Sequence, residues 1–136
     1  MLAALVGGVA TAVLWIYLES RSYYAAVRVS APGAVTYTAL LDKESDRDSC
    51  EAAARRFYAP LESDCKECRV EFLGCERSPR EAADARYWVI ARRVRIAITG
   101  PDDTARASCA ITADNLTKGG RAARCEESPA RKPVAR

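Results

Sequence analysis

Cys50, Cys65, Cys68, Cys75, Cys109 and Cys125 lie in one stretch of a 136-residue chain, and their density narrows the possible folds more than any other feature. Six cysteines in so small a domain predict three disulfides, for which fifteen pairings exist. Such bonds persist only in oxidising surroundings. Two other chemistries compete for the same residues. Cys65-x-x-Cys68 with Cys75 suits zinc, but the second CxxC knuckle of a zinc site is missing. Cys65 and Cys68 could also form a redox pair, with Lys66 lowering a thiol pKa and Glu67 opposing it. A redox CxxC normally opens a helix after a strand, whereas this one falls between a helical and a strand-like segment. Structural disulfides are therefore the expectation, with no metal and no cofactor.

Ahead of the cysteines, Leu2 to Leu18 reads LAALVGGVATAVLWIYL, without a charge. As a helix at ~1.5 Å per residue this run covers about 25 Å, close to the ~30 Å of a hydrocarbon core. Trp15 and Tyr17 stand where a membrane interface would fall. No Lys or Arg precedes the run, and Ser20-Arg21-Ser22 is a poor cleavage site, so an uncleaved transmembrane anchor is favoured over a signal peptide. Ala4, Gly8 and Ala12 form a stripe of small residues, paralleled by Ala3, Gly7 and Thr11, through which a membrane-protein partner could pack. Arg21 and Arg28 both follow the span, so its orientation comes from the cysteines, which place the remainder outside the cytoplasm. The expected organisation is an anchor over 1–24, a linker over 25–33, a disulfide-stapled domain over 34–126 and a disordered basic tail over 127–136.

Composition excludes more than it selects. The chain has no histidine, and so lacks the usual general base and the commonest metal ligand. A net charge of +3 is too small to argue for nucleic acid. The late basic residues Lys118, Arg121, Arg124, Arg131, Lys132 and Arg136 face only Glu126 and Glu127, which reads as a solvated tail with at most weak attraction to an anionic surface.

An internal echo organises the domain. Arg47-Asp48-Ser49-Cys50 followed by Ala54 matches Arg106-Ala107-Ser108-Cys109 followed by Ala113, at an offset of 59 residues. Ser45 matches Thr104 as a helix-start residue, and Phe57 matches Leu116. Each copy reads strand, helix, strand. Val35 to Leu41 is rich in β-formers and is entered from Pro32-Gly33. Ser45 with Asp48 resembles a capping box, and the helix that follows turns Cys50, Ala54, Phe57 and Leu61 to one side until Pro60 perturbs it. Arg69 to Gly74 is a short strand. In the second copy Tyr87 to Thr99 is one long strand, Gly100-Pro101 turns the chain, Asp103 or Thr104 caps a helix ended by Gly119-Gly120, and Arg121 to Cys125 is the last strand.

The resulting order β-α-β-β-α-β is that of the ferredoxin-like α+β sandwich. Both strands of one unit point the same way there, so a cysteine early in the helix lies at the same end of the sheet as a cysteine finishing the next strand. That geometry pairs Cys50 with Cys75 and Cys109 with Cys125, and leaves Cys65 for Cys68. The same alternation turns Thr36, Thr38, Arg95 and Thr99 to the face away from the helices. Cys75, Val70 and Phe72 conflict by period-two alternation unless a bulge intervenes at Gly74.

The stretch Val94-Arg95-Ile96-Ala97-Ile98-Thr99-Gly100-Pro101, followed by Ala105, Cys109, Leu116 and Gly119, resembles the SPOR (sporulation-related repeat) domains of the bacterial envelope. That resemblance implies a ferredoxin-like fold, an inner-membrane anchor with the domain in the periplasm, and peptidoglycan as ligand. The expected function is a non-enzymatic, membrane-anchored periplasmic module that recognises a glycan or a protein through Thr36, Thr38, Arg95 and Thr99. The alternatives are an accessory subunit of a membrane polysaccharide-biosynthesis or secretion complex, or a CxxC thiol-disulfide protein.

Overall fold

The computed structural model describes residues 8–15, 22–31, 33, 35–76 and 84–128. Residues 8–15 are helical (α1), and all of their side chains are exposed. From there the chain forms β1 (Tyr24–Ser30), β2 (Thr36–Leu41), α2 (Arg47–Asp64), β3 (Arg69–Glu76), β4 (Tyr87–Ala91), β5 (Val94–Thr99), α3 (Asp102–Lys118) and β6 (Ala123–Glu127). The six strands make one antiparallel sheet in the order β3-β1-β2-β5-β4-β6.

This is not the ferredoxin-like order. Each half is β-β-α-β, a hairpin followed by a helix and a third strand that returns to the far side of the hairpin's first strand. Two features of the sequence conceal this. Tyr24–Ser30 follows the apolar N-terminal run after only five residues, yet Ala25 and Val27 are buried against α2 while Arg28 turns to the other face and meets Glu71. The run from Tyr87 to Thr99 is two strands joined through Arg92 and Arg93, without the Gly or Asn that normally announces a tight hairpin. Arg93 adopts the left-handed conformation itself, at φ 66°.

The halves are related by a pseudo-twofold axis between β2 and β5. Thr38 pairs with Ala97 across that boundary, 59 residues on, the same offset that separates Cys50 from Cys109. Within each half the two strands flanking the helix still run the same way, separated by the hairpin's first strand. The cysteine geometry of a βαβ unit is thereby kept. Cys50 bonds to Cys75 and Cys109 to Cys125, with Cα atoms 6.2 and 5.5 Å apart, and Cys65 bonds to Cys68 in the turn after α2.

Local chemistry accounts for the element ends. Asp46, rather than Ser45, caps α2: its carboxylate accepts from the Ser49 N–H at 2.8 Å and the Ser49 hydroxyl at 2.9 Å. The two hydrogen bonds hold the Asp46 pKa below the ordinary carboxylate value. α2 continues past Pro60 to Asp64. α3 starts at Asp102, directly after Pro101, and has no side-chain cap. In β3 a bulge shifts the register between Gly74, opposite Ala26, and Phe72, opposite Val27. Gly74 takes φ 114° there, and the extra residue puts Cys75, Phe72 and Val70 on the same face.

The core is thin and divided. α2 closes one cluster over Ala25, Val27, Cys50, Ala54 and Cys75, and α3 closes another over Tyr87, Val89, Ile98, Ala105, Cys109 and Ala113. The largest fully buried side chains are Ile98, Val27, Val89, Cys50 and Cys109, so the disulfides are part of the packing. Small residues on the buried sides of both helices, such as Ala54 and Ala105, bring the helices close to the sheet.

The anchor expected over 1–24 is not supported. Among the described residues no helix is long and apolar enough to cross a membrane. Tyr24, the last residue of the expected anchor, already belongs to the sheet. The single-pass inner-membrane placement of a periplasmic domain, which needed this anchor, is likewise not supported. Gly8 and Ala12 of the small-residue stripe lie exposed on α1, while Ala4 and most of the tail over 127–136 lie outside the described residues.

Candidate functional site

The width of the sheet creates a concavity on its helix side. Five inter-strand steps of ~4.8 Å set the outer strands about 24 Å apart. Two helices in contact need only ~8–10 Å between their axes. Here each helix sits over its own half, α2 on β1 and β3, α3 on β4, β5 and β6. A disulfide ties α2 to β3 and another ties α3 to β6. Neither helix can slide inward without carrying an outer strand with it, so the middle of the sheet stays uncovered on the helix side.

The groove left there has a volume of about 310 Å³. Its floor is Tyr37 and Ala39 from β2 with Val94 and Ile96 from β5. Phe57, Pro60 and Leu61 form the α2 wall, and Thr112 and Leu116 form the α3 wall. Phe57 and Leu116, equivalent in the internal echo, thus face each other across the pseudo-twofold axis. Pro60 serves as a wall residue here.

One end of the groove opens into a wider polar basin of about 1080 Å³, with Phe57, Val94 and Arg121 common to both. Four arginines line the basin: Arg56 from α2, Arg92 and Arg93 from the β4–β5 turn, and Arg121 from the segment after α3. The backbone fixes two of them. Arg93 carbonyl accepts from the Asp42 N–H at 3.0 Å, and the Arg121 N–H donates to the Leu116 carbonyl at 2.9 Å. Asp42 and Glu44 are the acids of the basin.

The opposite face carries the residues singled out by sequence. Thr36, Thr38, Arg95 and Thr99 do share it, across the β2–β5 boundary. Arg95 and Thr99 are exposed, Thr36 is half-buried and Thr38 is 4% exposed. The Arg95 guanidinium stacks over Trp88, 4.9 Å from the ring centroid, and Trp88 donates to the Ala85 carbonyl at 3.0 Å. Trp88, Ala85, Ala97, Leu40 and Ile90 make this face a small apolar cluster. The sequence pattern missed it because Trp88 sat inside what read as one unbroken strand.

A second polar constellation joins α3 to the sheet. The Tyr87 hydroxyl donates to Asp102 Oδ1 at 2.9 Å and accepts from Arg106 Nε at 3.2 Å. Arg86 reaches both Asp102 and Glu127. Hydrogen bonding to Glu127 raises the Arg86 pKa, and the Tyr87 hydroxyl does the same for Arg106, so both stay charged. Every polar group in this network already has a partner within it, which suits a clamp on the start of α3. Among the described residues no cluster of His, Cys, Asp and Glu could hold a metal ion.

No protein-family model matches the chain, and no curated protein or solved structure matches it.

Proposed function

We propose that this chain is a non-catalytic binding module whose ligand lies in the groove between α2 and α3. One observation carries the reading: an apolar groove of about 310 Å³, held open because each wall helix is disulfide-bonded to an outer strand. A cleft of that size and lining falls at the small end of ligand cavities. Walls that cannot collapse reduce the ordering cost of binding. The missing histidine and the closed Tyr87–Asp102–Arg106 network favour binding over catalysis. The sheet face away from the helices is a weaker candidate, because Thr38 is buried there and Arg95 is held over Trp88. The glycan expectation depended on that face and on the ferredoxin-like order.

The test is fluorescence titration with Nile red, a neutral dye, on the full chain and on Thr112→Trp, which builds an indole out from the α3 wall. Wild type should bind with a blue-shifted emission, and Thr112→Trp should weaken binding at least about tenfold, roughly the loss of one well-buried contact. Equal binding by two variants of the same melting temperature would place the dye elsewhere and remove the groove as the site.

A further inference from the structure

We propose that the groove takes a single-chain anionic amphiphile, with its acidic head among Arg56, Arg92, Arg93 and Arg121 and its apolar chain between the helices. This deepens the groove reading and rests on it. Four observations carry it. The apolar groove and the arginine basin are continuous, with Arg121 lining both. The four arginines outnumber Asp42 and Glu44 in the basin. None of the four forms an ion pair with a described residue; Arg47, Arg55, Arg69 and Arg95 form none either, but the basin's four are gathered beside the groove. Arg93 also holds its charge at a left-handed position, φ 66°, that glycine or asparagine would occupy with less strain.

Size selects the occupant further. An apolar groove of about 310 Å³ stands at the small end of ligand cavities, which suits one extended chain. Its acid would face planar guanidinium forks that bind carboxylates through paired hydrogen bonds.

Displacement of Nile red from the full chain by decanoate, 1-decanol and decyltrimethylammonium, at low salt and below micelle-forming concentrations, tests the proposal. Decanoate should compete about tenfold more tightly than decanol, and the ammonium should be weakest. The carboxylate preference should shrink in 1 M salt, where the screening length falls to ~3 Å. It should also shrink in Arg56→Gln/Arg121→Gln, whose exposed side chains leave the core untouched. Equal competition by decanoate and decanol, with Thr112→Trp blocking both, would reject the anionic head and leave the groove reading standing. Competition that ignores Thr112→Trp would reject both. Sedimentation of the chain with phosphatidylglycerol vesicles, without competition by monomeric decanoate, would assign the arginines to a lipid surface and overturn the proposal.

Discussion

Removing the disulfides one at a time should destabilise the chain in an order set by the loops they close. Cys50–Cys75 spans 25 residues, Cys109–Cys125 spans 16 and Cys65–Cys68 spans 3. Loop-closure entropy of the unfolded chain then gives about 3.5, 3 and 1.6 kcal/mol in turn. Cys50 and Cys109 are also fully buried, so alanine in their place opens a small void and adds up to about 1 kcal/mol to each of the two longer pairs. Domains of this size have only about 5–15 kcal/mol in total, and this core has few large side chains. Either long-loop pair is therefore a large fraction of stability, and losing both should leave the chain unfolded. Equilibrium urea unfolding of Cys50→Ala/Cys75→Ala, Cys109→Ala/Cys125→Ala and Cys65→Ala/Cys68→Ala, each against wild type without reductant, measures this. With a slope near 1–1.5 kcal/mol/M, the first two should lower the midpoint by about 2–4 M and the third by about 1–1.5 M. A Cys65–Cys68 deletion as costly as Cys50–Cys75 would rule out loop closure as the source of the stabilisation, since the short loop has little entropy to remove and its sulfurs lie in a turn.

Two further perturbations test local claims. Gly74→Ala should cost about 1–3 kcal/mol, read as a shifted unfolding midpoint: a Cβ there meets open space, so the penalty is the φ of 114° alone. Asp46 has a folded-state pKa depressed by its bonds to Ser49, so its contribution is present above about pH 4, the ordinary range, and is lost as pH falls through the lower folded value. The melting temperature of Asp46→Asn should therefore fall less steeply than wild type on acidification below pH 4, because asparagine caps without titrating.

What the sequence reveals here depends on how local each feature is. The cysteine pairing needs only that a helix return between two strands of the same direction, and this holds whether or not a hairpin strand lies between them. The echo from Cys50 to Cys109 carries through to the Thr38–Ala97 pair at the centre of the sheet. The strand count does not follow, because Tyr24–Ser30 closely follows an apolar run and Arg92-Arg93 turns without a turn residue. With two strands concealed, a four-stranded sheet covered by two touching helices is the natural reading, and such a sheet has no groove. The site residues expected at Thr36, Thr38, Arg95 and Thr99 follow from alternation. Alternation gives the face of a strand, but not the neighbour, Trp88, that packs against it.

Occupation of the groove is tested most directly by amide chemical-shift mapping of the uniformly labelled chain titrated with decanoate. The largest shifts are expected at Tyr37, Ala39, Phe57, Ile96 and Leu116, running on to Arg93 and Arg121 at the basin. Shifts centred instead on Thr36, Trp88, Arg95 and Thr99, with the groove residues unmoved, would contradict it.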